Sequence, residues 1–154
     1  MTREKGCLFW NIPVYYSLFF SDKEIYHVDN NEKILKDLID LADSKKGMDI
    51  VAIDVREVSI LADYILIMTS NSAVHSASLG KHIIDYFVDN GLKSMLYSQQ
   101  PKFNNPWILL DATDIIVHIF SEEARQFYAL EKVYFRGTQI YESEKKTAGN
   151  SLRS

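Results

Sequence analysis

The run Trp107-Ile-Leu-Leu-Asp-Ala-Thr-Asp-Ile-Ile-Val-His-Ile-Phe120 constrains the fold more than any other stretch. Two apolar runs, Trp107–Leu110 and Ile115–Phe120, flank the polar tetrad Asp111-Ala-Thr-Asp114. Both runs are short and the second is rich in β-branched residues, so strands fit better than helix. The tetrad is short enough to close an antiparallel hairpin. A helix should follow at once. Ser121 can cap it, and Glu122 and Glu123 place negative charge in its first turn, where the dipole favours it. Phe127, Leu130 and Tyr134 recur at helical spacing and are expected on its inner face, with the helix ending near Gly137.

The rest of the chain reads as the body that holds this hairpin. Asp29 to Lys46 reads as a helix, with Asp29 and Glu32 as a capping box and Ile34, Leu35, Leu38, Ile39 and Ala42 as its apolar stripe. Lys45 and Lys46 suit its C-terminal dipole and Gly47 supplies the stop. Ile50–Val55 and Tyr64–Met68 are nearly continuous apolar runs, as expected of strands covered on both faces. Ser72 caps a second helix running to about Asn90 and stopped by Gly91. Val74, Ala77, Ile84 and Val88 lie near one face of it, with Ile83 and Phe87 beside them, and Gly80 points to close packing at mid-helix. His75 and His82 sit two turns apart on that helix and are expected to face solvent. Met95-Leu96-Tyr97 is a further strand candidate, and Gln99 to Pro106 a loop with two prolines. Glu142 to Ser154 is polar and without period. This order gives an α/β (α+β) domain with a mixed sheet of about five strands flanked by helices. The expected division is an extension at 1–28, a folded domain at 29–137 and a polar, disordered tail at 138–154.

Net charge is −4 with a predicted pI near 5.5. This argues against broad nucleic-acid binding, which needs a basic footprint to neutralise phosphates, and for a basic protein partner. From Trp107 to Lys132 there are five acidic residues against two basic, a balance of −3 that reads equally as a solvated face or as a match for a basic partner. The single cysteine, Cys7, rules out an intrachain disulfide and suits a reducing compartment, so a cytoplasmic location is expected. Arg3 and Lys5 precede an aromatic run from Cys7 to Phe20 that imitates a signal peptide but is broken by Asn11 and Pro13, is too short to span a bilayer, and meets no small-residue cleavage site. It reads either as an appended extension, arising even from a start codon set too far upstream, or as a short hydrophobic arm packing on the body or on a partner.

Asp111, Asp114 and His118 form the one close cluster of groups suited to metal binding or acid–base work. The competing reading takes the two carboxylates as turn residues accepting backbone hydrogen bonds, and His118, on the strand face of Ile116 and Phe120, as a core histidine with one satisfied ring nitrogen. The second reading is preferred, so no catalytic residue, metal or cofactor is expected. Trp107 opens an edge-like strand just after Pro106. It serves equally as a half-exposed interface anchor or as a core aromatic.

Two blocks of the chain resemble the ribosomal silencing factors, the Iojap or RsfS family. One is Trp107-x-x-x-Asp111-x-x-Asp114-x-x-x-His118 followed by Arg125-x-Phe127-Tyr128-x-Leu130-Glu131. The other is Ser59-x-x-Ala62-Asp63-Tyr64 with Thr69-x-x-Ser72. The resemblance covers roughly residues 30 to 136 and implies a nucleotidyltransferase-like sheet. It also implies a non-enzymatic role: binding the large ribosomal subunit through ribosomal protein fourteen of that subunit, blocking the small subunit sterically, and repressing translation under nutrient limitation. The protein would be a monomer on the ribosome, with a homodimer admitted for the free form, and would need no membrane and no sequence-specific nucleic-acid contact. By position, Trp107 and Ala112 fall where the family meets its ribosomal partner, with Asp111, Asp114 and the Arg125/Tyr128/Glu131 helix face nearby. The chain departs from the family at Ser70 and Thr113, where Gly is usual, at Ala112, where a bulkier residue is usual, at Gln99-Gln100, where Glu-Gly is usual, and at Tyr134, where Trp is usual. These departures bear on the detailed contact. The alternatives are a nucleotidyltransferase-class enzyme using Asp111 and Asp114, or an adaptor for another basic protein. The enzyme reading lacks the Asp-x-Asp and Gly-Ser pattern that such chemistry uses to gather magnesium.

Overall fold

The computed structural model describes the backbone of residues 22–29 and all atoms of 30–92, 105–112 and 114–144. In chain order the elements are α1 (Asp22–Ser44), β1 (Met48–Asp54), β2 (Tyr64–Ser70), α2 (Ala73–Asp89), β3 (Trp107–Asp111), β4 (Ile115–Ser121), α3 (Glu122–Tyr128), α4 (Leu130–Val133) and β5 (Thr138–Glu142). The five strands form one sheet in the order β3-β4-β2-β1-β5. Only β2 and β4 pair in parallel; the other three pairings are antiparallel. This is an α+β fold with a mixed sheet.

Every residue of β2 is buried, because the strand is central and helices cover both of its faces. On one face α1 and α2 bury Leu35, Leu38, Leu79, Ile83 and Phe87 against Ala52, Leu66, Val117 and Ile119. Each such side chain contributes about 1.5–3 kcal/mol by leaving water. The other face carries a smaller cluster of Val51, Ile53, Ile65, Ile67 and Phe120 with Ala124 of α3, closed by Leu130 and Tyr134.

Several expectations are corrected. Helix α1 begins at Asp22, so Asp29 and Glu32 lie inside it and form no capping box. The preceding Asp22-Lys-Glu-Ile-Tyr-His-Val holds no Gly or Pro that would end a helix. At its other end the left-handed position is taken by Lys46 (φ 64°), not Gly47. Lys46 N–H donates to Asp43 O at 3.0 Å and Gly47 N–H to Ala42 O at 2.8 Å, the two bonds of a Schellman stop. In α2 the buried stripe is Ser76, Leu79, Gly80, Ile83 and Phe87, while Val74 and Val88 are exposed. The small residues Ser76 and Gly80 sit on the packed face, and a count of apolar side chains points elsewhere. His75 is half-buried instead of solvent-facing. Its Nδ1 accepts from Asn71 N–H at 3.2 Å and its Nε2 meets Lys45 O at 2.8 Å, tying the two helices together.

The last helix is two pieces. Ala129 adopts φ 43°, which ends α3 and turns the chain into α4. Phe127 is consequently 82% exposed, not on the inner face. Thr138–Glu142, read as the start of a disordered tail, is the edge strand β5 paired with β1. Gly137 permits this return: a Cβ there would lie 2.7 Å from Ile53 Cγ2 and 2.8 Å from Asp54 O. The candidate strand Met95–Tyr97, Thr113, most of residues 1–28, and residues 145–154 lie outside the described residues.

Candidate partner-binding site

Among the described residues strand β3 is an edge strand, paired only with β4, and its side chains alternate. Ile108 and Leu110 point into the α1/α2 core. Trp107, Leu109 and Asp111 occupy the opposite face, which α3 covers in part. The half-buried Trp107 pairs with Phe120 across the hairpin. Its ring lies 5.2 Å from Phe120, 5.7 Å from His118 and 4.8 Å from Tyr128 between centroids. The indole Nε1–H donates to His118 Nδ1 at 3.1 Å.

That bond fixes the imidazole. Accepting at Nδ1 leaves the proton on Nε2, so His118 is neutral here. It is 4% exposed, and burial pushes its pKa down from 6.5 to about 4. His118 is thus a core histidine with one satisfied nitrogen, and it orients Trp107. Around the indole, Leu109 is 52% exposed, Tyr128 44% and Phe127 stands edge-on to Tyr128. Together they form an apolar surface on a rigid floor.

The turn end is acidic. Ala112 N–H donates to Ile115 O at 2.9 Å and Asp114 N–H to Ala112 O at 2.8 Å, closing the hairpin. The Asp114 carbonyl accepts from the amides of Asp63 and Tyr64. Its carboxylate takes a hydrogen bond from buried Asn31 Nδ2 at 3.2 Å, and Asp63 takes another from the same nitrogen at 3.4 Å. Desolvation and the charge of Asp114 push the Asp63 pKa up. Asp114 therefore shares Asn31 with Asp63, while Asp111 lies at the end of β3 opposite Ile116. Among the described residues, no three or more of His, Cys, Asp and Glu are grouped to hold a metal ion.

The expected site residues separate accordingly. Trp107 and Tyr128 meet in one aromatic cluster, with Asp111 on the same strand face. Ala112 is buried, and its methyl packs in the core cluster. Arg125 is turned inward. Its side chain is 13% exposed and is spent inside the molecule, on Glu131 at 2.6 Å, on Thr69 Oγ1 at 2.9 Å and on the Asp49 carbonyl. It positions α3 over the ends of β1 and β2 and ties it to α4. Leu109 and Phe127 are surface residues that the sequence reading did not assign. Leu109 was findable, since it alternates with Ile108 and Leu110 and so shares the face of Trp107.

The chain is similar to several known proteins. A family model described as "Ribosomal silencing factor during starvation" matches residues 28–153. The ribosomal silencing factor RsfS of Bacillus subtilis is 33% identical over 106 residues, covering 68% of this chain and 87% of that protein. The Haemophilus influenzae RsfS is 32% identical over 97 residues, covering 63% and 93%. The chloroplastic protein Iojap of Zea mays is 30% identical over 95 residues, covering 62% of this chain and 40% of that one. A crystal structure from Bacillus halodurans superposes with a TM-score of 0.61 at 23% identity, covering 71% of this chain and 98% of the other, and supports the fold. The chain belongs to the ribosomal silencing factor family.

Proposed function

We propose that this protein binds the large ribosomal subunit through ribosomal protein fourteen of that subunit and blocks small-subunit joining by occupancy alone, repressing translation when nutrients are short. The observation that carries the reading is the Trp107 platform: an aromatic, partly exposed edge strand whose indole stacks on Phe120 and is hydrogen-bonded to a fixed imidazole, with Asp111 further along the same strand face. Its apolar centre suits a buried anchor, and its acidic rim suits a basic ribosomal protein. Trp107, Leu109, Phe127 and Tyr128 form the contact, Asp111 and Asp114 the rim, and the Arg125–Glu131 pair holds the helices behind them. No bond is made or broken in this mechanism, and it acts in the compartment that holds the ribosomes, the cytoplasm, with one monomer per subunit.

The experiment is sedimentation of purified protein with large subunits, followed by addition of small subunits. Co-sedimentation with the large subunit and a dose-dependent loss of joined ribosomes is the expected result. Full subunit joining at saturating protein sinks the proposal. Turnover of a nucleoside triphosphate that is lost on Asp114→Asn would favour the enzymatic alternative instead.

A further inference from the structure

We propose that the aromatic segment Cys7–Phe20 of this same chain covers the outward loop between β1 and β2. That loop shows an apolar surface that the described residues leave bare. Ile60 is fully exposed, Leu61 is 75% exposed and Val58 43%. The exposure is built in. Val58 and Ser59 N–H both donate to Val55 O at 2.9 and 2.8 Å, Leu61 N–H donates to Ser59 Oγ at 3.1 Å, and Val55 N–H donates to Asp63 O at 2.9 Å. A backbone pinned at these points holds its side chains outward. Contiguous apolar surface of this kind marks a place where something docks.

The course of α1 says what docks. Asn31 reaches Asp63 and Asp114, and Tyr64 Oη–H donates to Glu32 at 3.4 Å, so the helix passes the start of β2 at residues 31–32. The Lys45 carbonyl meets His75 at the opposite end of the sheet, which fixes the helix direction. From Asn31 back to Asp22 the helix runs on for about 13 Å at 1.5 Å per residue, toward the end of the molecule that carries Val58–Leu61. The start of the helix at Asp22 therefore lies toward that same end.

The chemistry of the preceding segment fits. Eleven of the fourteen residues from Cys7 to Phe20 are hydrophobic, so the run gains by leaving water, and Pro13 keeps it from forming one unbroken helix. Fourteen extended residues span roughly 45 Å, ample to fold back over the overhang. Tethering gives the segment an effective concentration of roughly millimolar at the loop, which a second copy of the protein does not match in dilute solution. The segment precedes the family match, which begins at residue 28, so the proposal rests on residues outside that match. It does not depend on the ribosomal reading.

The test uses the full chain. A benzophenone maleimide is attached to Cys7, the single cysteine, and in a Cys7→Ser background to Tyr16→Cys. Each dilute sample is irradiated and its crosslinks mapped by peptide mass. The expected result is crosslinking within one molecule to residues 57–62, falling about tenfold in Ile60→Asp/Leu61→Asp. Should that variant lose its fold, Ile60→Ser at the fully exposed position gives the same comparison. Crosslinks that join only separate molecules, that map to Phe127 and Tyr128 instead, or that persist unchanged in the loop variants overturn the proposal.

Discussion

The indole of Trp107 hands its only polar hydrogen to His118 Nδ1, 3.1 Å away, and so an exposed edge of the sheet is locked to a buried neutral imidazole. The core-aromatic role foreseen for Trp107 is met by this contact, while the ring stays half-buried. The outer part of the ring is free for a partner while the nitrogen is held from beneath.

This arrangement makes stability depend on pH. The ordinary imidazole value is 6.5, and burial lowers His118 to about 4. Between those values the unfolded chain binds a proton that the folded chain refuses. The His118 contribution is therefore fully present above about pH 6.5 and is lost as pH falls toward 4, by about 3 kcal/mol in all. His118→Gln keeps an acceptor for the indole and cannot titrate in this window. Its melting temperature should fall less steeply than that of the wild type between pH 6.5 and 4. Parallel curves would mean that His118 is protonated in the folded protein.

Asp63 carries the opposite sign. Desolvation and the Asp114 carboxylate raise its pKa, so its ionisation opposes folding as pH rises through the shifted value. Asp63→Asn removes that charge while leaving a carbonyl to accept from Asn31. The variant should melt higher than wild type at pH 7, and the gain should shrink as the pH falls through the raised value and be gone below the ordinary carboxylate value. A lower melting point at pH 7 would show that the Asp63 charge is compensated by a contact stronger than its repulsion.

The left-handed residue at the α3/α4 break gives a further prediction. A non-glycine residue at φ 43° costs about 1 kcal/mol, since its Cβ crowds the following carbonyl. Ala129→Gly relieves this at the expense of a freer unfolded chain. The net expectation is a gain of roughly 0.5 kcal/mol, read as a small rise in the denaturation midpoint with an unchanged slope. A loss of stability would mean that the Ala129 methyl contributes packing that outweighs the strain.

This break also explains what the sequence did and did not disclose. The hairpin, the Ser72 and Ser121 caps and the buried stripe of α1 were legible because each rests on neighbours a few residues apart. Ser72 Oγ accepts from His75 N–H and Ser121 Oγ from Ala124 N–H, both at cap spacing. The bend at Ala129 has no such local mark, since alanine is a strong helix former. Continuing the helical period through it turned Phe127 inward on paper. Strand β5 was missed for the converse reason. Thr138-Gln-Ile-Tyr-Glu has no clean alternation, and it is a strand because β1, more than eighty residues earlier, lends it a ladder. Arg125 looked like a surface cation because its partners, Asp49 and Thr69, are remote in sequence.

Arg125 and Trp107 should therefore fail in different ways. Arg125→Met leaves the Asp49 carbonyl, Thr69 and Glu131 without their shared donor, and should cost roughly 2–3 kcal/mol of stability. Its large-subunit affinity, measured on the folded fraction, should stay near wild type, because the guanidinium is turned inward. A folded Arg125→Met protein with strongly reduced affinity would return Arg125 to the interface.

Phe127 gives the sharpest test of the proposed contact. The ring is 82% exposed, so Phe127→Ser removes almost no buried area from the free protein and should leave the melting temperature unchanged. In a complex centred on Trp107 the same ring is buried, and its loss should weaken large-subunit binding by about 1.5 kcal/mol, or roughly tenfold. Trp107→Ala should weaken binding further, by about 2 kcal/mol or more, but it also removes the ring contacts with Phe120 and Tyr128 and will lower stability. Asp111→Lys acts through charge, so its effect should appear largely in the association rate and fade as salt rises. The measurement is large-subunit affinity for all three variants at two salt concentrations, with the thermal midpoint of each. Wild-type affinity in Phe127→Ser and Trp107→Ala together would remove the aromatic platform from the interface, and binding by another surface would then have to account for silencing.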